Sequence, residues 1–119
     1  MKKNELAAAM CLAAKVCSVD DFDDKEISLI AVELKAFRLS EETEKEVLEL
    51  YNEMSLFRAC EILKDADSDV KKEAASLCIV AMNADGDCSE REIGACIMAH
   101  KICNLPFMSF TEAKEYLKL

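Results

Sequence analysis

At 119 residues, with 52% hydrophobic and 33% charged side chains, the chain suits a single domain that buries a real core and keeps a charged surface. Two Gly and one Pro are too few for a β-rich fold built on many tight turns, and the wealth of Ala, Leu, Glu, Lys and Met points to an all-α domain. A net charge of −9 argues against nucleic acid or an anionic membrane as the main partner, because both need a basic face, and it leaves cations and basic protein surfaces open.

About seven helices are expected. The first runs from about Asn4 to Cys17, with Leu6, Met10, Ala13 and Cys17 on one face. Met1-Lys2-Lys3 followed by this apolar stretch loosely resembles a signal peptide. An equivalent helix recurs inside the chain, where no export signal could sit, so a cytoplasmic domain is expected instead. No segment approaches the ~20 apolar residues of a membrane span, and direct membrane insertion is not expected.

The second helix follows Asp23, with Glu26 as its capping-box partner and Ile27, Ile30, Ala31, Leu34 and Phe37 as its apolar stripe. Ser40 caps a third helix with Val47, Leu50, Tyr51 and Met54 inward and Glu41, Glu42 and Glu44 in its first turn, where the helix dipole favours negative charge. Its Glu/Lys run from Glu41 to Glu49 reads as a solvated face. The fourth spans about Ser55 to Lys64, with Phe57, Cys60 and Leu63 inward. Asp65-Ala66-Asp67-Ser68-Asp69 is a polar break.

The fifth helix, about Asp69 to Ala84, is apolar over so much of its surface that it belongs at the centre of a bundle. Ser89 and Glu92 form a capping box for the sixth, which carries Ile93, Cys96, Ile97, His100 and Cys103. Leu105-Pro106-Phe107 ends it, because Pro disfavours helix in the residue before it. Ser109 and Glu112 cap a short last helix over about 109–118, with Phe110, Ala113 and Leu117 inward.

An acidic helix-to-helix junction appears twice. Asn83-Ala84-Asp85-Gly86-Asp87-Cys88-Ser89-Glu90-Arg91-Glu92 has a counterpart in Cys17-Ser18-Val19-Asp20-Asp21-Phe22-Asp23-Asp24-Lys25-Glu26. Met10–Ala14 aligns with Leu77–Ala81, and Glu26-Ile27 with Glu92-Ile93. Beyond them Ile30 meets Cys96, Leu34 meets His100, Phe37 meets Cys103 and Leu39 meets Leu105. The chain therefore reads as half-repeats over about 4–39 and 70–105, two helical hairpins about a pseudo-twofold axis.

These elements resemble the TerB-like family, the tellurite-resistance TerB proteins and the N-terminal domain of the DjlA co-chaperones. The resemblance rests on the Ala84-Asp85-Gly86-Asp87 turn, the Ser89-x-x-Glu92 helix start and the earlier half ending in Asp23-x-x-Glu26. It covers nearly the whole chain. It implies an all-α cytoplasmic bundle whose acidic residues bind divalent cations, with a role in stress response or a membrane-associated complex. The first half departs from the pattern: seven residues before Glu26 stands Val19, where Asp85 stands seven before Glu92, and the first turn has no Gly.

The candidate metal ligands are Asp85, Asp87 and Glu92 with Asp20, Asp21, Asp23 and Glu26, hard oxygen donors of the kind that take Ca²⁺ or Mg²⁺. An EF-hand is excluded. A loop begun at Asn83 has Cys88 where Gly is required and Gly94 where the bidentate Glu is required. The competing reading is that the carboxylates only cap helices.

Cys96, His100 and Cys103 share one helix face, a pattern that suits zinc, but their partners in the repeat are Ile30, Leu34 and Phe37, which points to core. The seven Cys include no Cys-x-x-Cys and mostly sit in helical apolar patterns, as reduced thiols do. Cys17 and Cys88 lie nearest the junctions and are the candidates for an exposed, reactive thiol. Phe107, Met108 and Phe110 form an apolar cluster that either plugs the core or docks a partner.

No nucleophile–base motif, phosphate loop or dinucleotide fingerprint is present. The leading expectation is thus a non-enzymatic binding or scaffold module acting through protein partners. The alternative is a metal-dependent enzyme or a metalloid- or redox-thiol protein.

Overall fold

A computed structural model describes residues 2–17, 39–83 and 90–117, and within them the side chains of 15–17 and 92 are left out. Six helices appear among these residues: α1 (Lys3–Cys17), α2 (Glu41–Glu53), α3 (Leu56–Lys64), α4 (Ser68–Met82), α5 (Glu90–Cys103) and α6 (Phe110–Leu117). The all-α expectation holds. The helix expected after Asp23, the full extent of both half-repeats and most of both acidic junctions (18–26 and 84–89) lie outside the described residues.

Local chemistry sets most boundaries. Ser40 Oγ accepts from the Thr43 N–H at 3.2 Å, Ser55 Oγ from Arg58 at 3.1 Å, and Asp67 Oδ1 from Val70 at 3.0 Å. Each satisfies an N–H that the first turn leaves without a helical acceptor. A reciprocal capping box opens α6: the Glu112 N–H donates to Ser109 Oγ at 3.1 Å, and the Ser109 N–H donates to Glu112 Oε1 at 3.2 Å.

The end of α5 differs from the sequence expectation. The helix stops at Cys103, before Pro106 can act, because Asn104 turns left-handed with φ 55°. The Leu105 N–H then donates to the His100 carbonyl at 2.9 Å, the six-residue closure of a Schellman cap, and Leu105 is buried beside it. Asn is one of the few non-Gly residues that takes this conformation cheaply.

Helix α1 packs against α4, α3, α2 and α5. Its nine consecutive residues Leu6–Ala14 are all buried, so the single-face reading is corrected: α1 is enclosed on every side. The reason is size. Five of the nine are Ala, and small side chains let neighbouring backbones approach from all directions. Helix α4 is buried in the same way from Ala74 to Ala81, as its all-round apolarity predicts. Ser76, inside that run, donates its hydroxyl to the Lys72 carbonyl at 2.8 Å and so is not left unpaired.

The last helix, α6, packs on α4, and Tyr116 Oη donates to the Asp69 carbonyl at 3.4 Å across them. Lys3 and Glu46 form an exposed ion pair between α1 and α2. No described helix is long and apolar enough to cross a membrane.

Candidate functional site

Several large apolar side chains lie at the surface, Leu50, Phe57, Ile93, Ile97 and Phe110 among them although they sit on stripes expected inward. Phe57 is 77% exposed, Met98 62% and Ile102 56%, with Leu50, Ile93, Ile97 and Phe110 also outward. The cause is a choice between faces. Helix α5 is apolar on more than one side, and the side that turns inward carries Cys96, Ala99, His100 and Cys103. Those smaller or planar groups fit against α1, α3 and α4, whereas Ile93, Ile97 and Ile102 would hold the helices apart. On α3, Ala59 and Leu63 face inward and Phe57 lies in solvent.

The result is an apolar groove between α3 and α5. Leu56, Phe57, Cys60 and Ile102 line it, Glu61 and Lys64 stand at its edge, and it encloses about 460 Å³. Contiguous apolar surface of this kind on an otherwise charged domain is a mark of an interaction site.

Two thiols meet beside the groove. Cys60 lies on its wall and is half-buried, and Cys103, next to Ile102, is completely buried. The Cys103 thiol is pushed up to about 12, first by burial and then by contact with the Cys60 thiol. Both are free thiols. Sequence reasoning placed each on an apolar stripe and missed the pairing, which no sequence spacing encodes.

His100 is 2% exposed, and neither Nδ1 nor Nε2 has a hydrogen-bond partner of normal geometry. Its ring stacks on Phe107 at 5.1 Å between centroids and 24° between planes. Burial lowers its pKa, and the Pro106 carbonyl opposes this only in part. A smaller hollow of about 210 Å³ adjoins it, with Ile93, Ile97, Phe107 and Phe110 among its walls. Phe107 is 67% exposed, so the C-terminal apolar cluster is surface at this point, while Met108 packs against the core.

Cys96, His100 and Cys103 all occupy the inward face of α5, the core placement that the repeat suggests. Among the described residues no three His, Cys, Asp or Glu side chains come together as a metal-binding group.

The stretch read in the sequence as a polar break, Asp65 to Asp69, forms part of an acidic surface. Glu5, Asp65, Asp67, Asp69 and Glu73 line an open concavity of about 640 Å³ with Lys2. The Glu73 pKa is raised, first by burial, with the Asp69 and Asp67 charges adding to it. Tyr116 is raised by burial and by Glu73, Asp69 and Asp67. This field draws cations toward the α3–α4 turn.

The expected metal ligands are not placed. Asp20, Asp21, Asp23, Glu26, Asp85 and Asp87 lie outside the described residues, as do Cys17 and Cys88 as thiols. Glu92 is in the first turn of α5, with its side chain likewise outside the description.

No family model matches the chain, and no curated protein matches it in sequence. A crystal structure of a protein of unknown function from Porphyromonas gingivalis W83 has the same fold, with a TM-score of 0.84 and 23% identity over 100% of this chain and 91% of that one.

Proposed function

We propose that this chain is a non-enzymatic binding module whose α3–α5 groove takes an amphipathic helical segment of a protein partner with basic flanks. The observation that carries the reading is the groove itself, with Phe57 and Ile102 largely exposed on neighbouring helices. A groove with Leu56, Phe57 and Cys60 on one side and Ile102 on the other accepts the apolar face of a helix, and the net charge of −9 favours a basic polar face on that helix. The resemblance to TerB-like proteins adds a role in a stress-response or membrane-proximal assembly. It also adds a weak Ca²⁺ or Mg²⁺ site at the Asp20–Glu26 and Asp85–Glu92 junctions.

The test uses two synthetic 18-residue amphipathic helices, one of Leu and Lys, the other of Leu and Glu, with binding read by fluorescence anisotropy. The Lys peptide binds and the Glu peptide does not. Phe57→Glu separates groove docking from bulk attraction. It adds negative charge, so attraction alone would strengthen binding, whereas docking in the groove is weakened at least tenfold. Unchanged or stronger binding to Phe57→Glu rejects the groove. A concentration-dependent dimer that Phe57→Glu abolishes would assign the groove to a second copy of the chain instead. For the cation site, native-state binding must raise the unfolding midpoint in millimolar Ca²⁺ or Mg²⁺, and an unmoved midpoint rejects it.

A further inference from the structure

We infer that Cys60 and Cys103 are a thiol-modification site, a pair that a low-molecular-weight disulfide such as oxidised glutathione converts into an intramolecular disulfide between α3 and α5. The placement assigns different roles to the two sulfurs. Cys60 lines the open groove beside Leu56 and Phe57, where a small flexible disulfide made of two tripeptides can reach it. Cys103 is sealed from solvent and lies in contact with the Cys60 thiol. The pair joins two helices far apart in sequence, so it arises from tertiary packing. Nothing in this inference depends on what the groove binds.

The chemistry is two thiol–disulfide exchanges. The Cys60 thiolate attacks one sulfur of the small disulfide, forming a mixed disulfide at Cys60 and expelling one small thiolate, which takes up a proton. The Cys103 thiol then loses its proton, and its thiolate attacks the Cys60 sulfur and expels the second small thiol. Two protein thiols are oxidised to one disulfide, and one small disulfide is reduced to two thiols. The second exchange is the slow one. Its nucleophile is buried, and burial, the largest cause of its raised pKa, still holds its proton above the ordinary thiol range once Cys60 is capped, so its reactive fraction grows about tenfold with each unit of pH below its pKa. Near neutrality the mixed disulfide therefore accumulates at Cys60, and alkali drives it on to the cross-link.

The protein is incubated with oxidised glutathione at pH 7.5 and at pH 9, acid-quenched and mapped by peptide mass spectrometry. The expected result is a glutathione adduct on the Cys60 peptide at pH 7.5. At pH 9 it gives way to a Cys60–Cys103 linked peptide, with closure faster by more than tenfold. In Cys103→Ala the adduct persists at both pH values. In Cys60→Ser neither product forms at this pair, and circular dichroism verifies that each variant is folded. The cross-linked protein unfolds on the order of 10 °C higher than the reduced protein, because the bond closes a long loop. A Cys60 adduct that stays unresolved in the native protein at pH 9 overturns the inference. So does cross-linking of Cys60 to a different cysteine, or the same midpoint rise in oxidised Cys60→Ser.

Discussion

The α1–α4 contact and the α3–α5 wall use apolar residues in opposite ways. Between α1 and α4 the side chains are mostly small, and everything from Leu6 to Ala14 and from Ala74 to Ala81 is buried. Along α3 and α5 the side chains are large, yet Phe57, Met98 and Ile102 remain in solvent. Residue by residue, Phe57, Met98 and Ile102 are larger apolar groups than the Ala that fills much of the α1–α4 contact. The difference teaches that close approach of helices is set by side-chain size, and that large apolar groups left over from a tightly packed centre become surface available for binding.

The sharpest test of this contrast is a pair of truncations. Leu77→Ala, at the fully buried centre of α4, is expected to cost about 2–5 kcal/mol in urea unfolding. Phe57→Ala removes a larger side chain and is expected to change stability by less than about 0.5 kcal/mol. Equal losses would break the comparison.

Next in size is Ala8→Leu on α1. Enlarging a fully buried Ala where helices meet should cost about 1–3 kcal/mol by the same measurement, and a neutral outcome would show that α1 has slack.

His100 gives a smaller effect with a pH signature. Its native pKa is lowered, so the unfolded chain binds the extra proton first and stability falls as pH drops below the ordinary value near 6.5. Well above pH 7 the ring is neutral in both states and this contribution vanishes. His100→Phe removes the acid-side loss. At pH 7 it also relieves two unpaired buried nitrogens, a gain of about 1 kcal/mol if the larger ring is accommodated. Midpoints measured from pH 5 to 8 would sink this account if the variant kept the native slope.

The smallest effect belongs to Glu73. Its carboxyl is raised, so the native state is penalised as pH climbs from about 4.5 through that raised value, and the penalty persists above it. Much of the group is solvated, so Glu73→Gln should stabilise by only a few tenths of a kcal/mol at pH 7 and by nothing at pH 4. A loss of stability at pH 7 would mean that the carboxylate is favourably paired.

What the sequence made legible was local. Ser40, and the Ser109–Glu112 box, announce their helices because capping is decided within three residues. The fifth expected helix could be assigned to the centre because α4 is apolar on every side. The orientation of α5 was not legible. Ile93, Ile97 and Ile102 compete with Cys96, His100 and Cys103 for the interior, and the outcome depends on how closely α3 and α4 stand. The Cys60–Cys103 meeting was hidden for the same reason, since it exists only once two helices pack. The Asn104 cap could have been read from an Asn placed shortly before Pro, had the helix end been taken as a left-handed turn and not as proline's effect.

The enclosure of Leu6–Ala14 in α1 also bears on synthesis. Leu6–Ala14 needs α4 as a wall, and α4's buried run begins at Ala74, sixty residues later. At a translation rate of about 5–20 residues per second, this apolar segment waits roughly 3–12 seconds for its main partner. Its small side chains make that wait safer: a run dominated by Ala offers far less sticky surface per residue than the Ile, Met and Phe that the mature fold carries on α3 and α5.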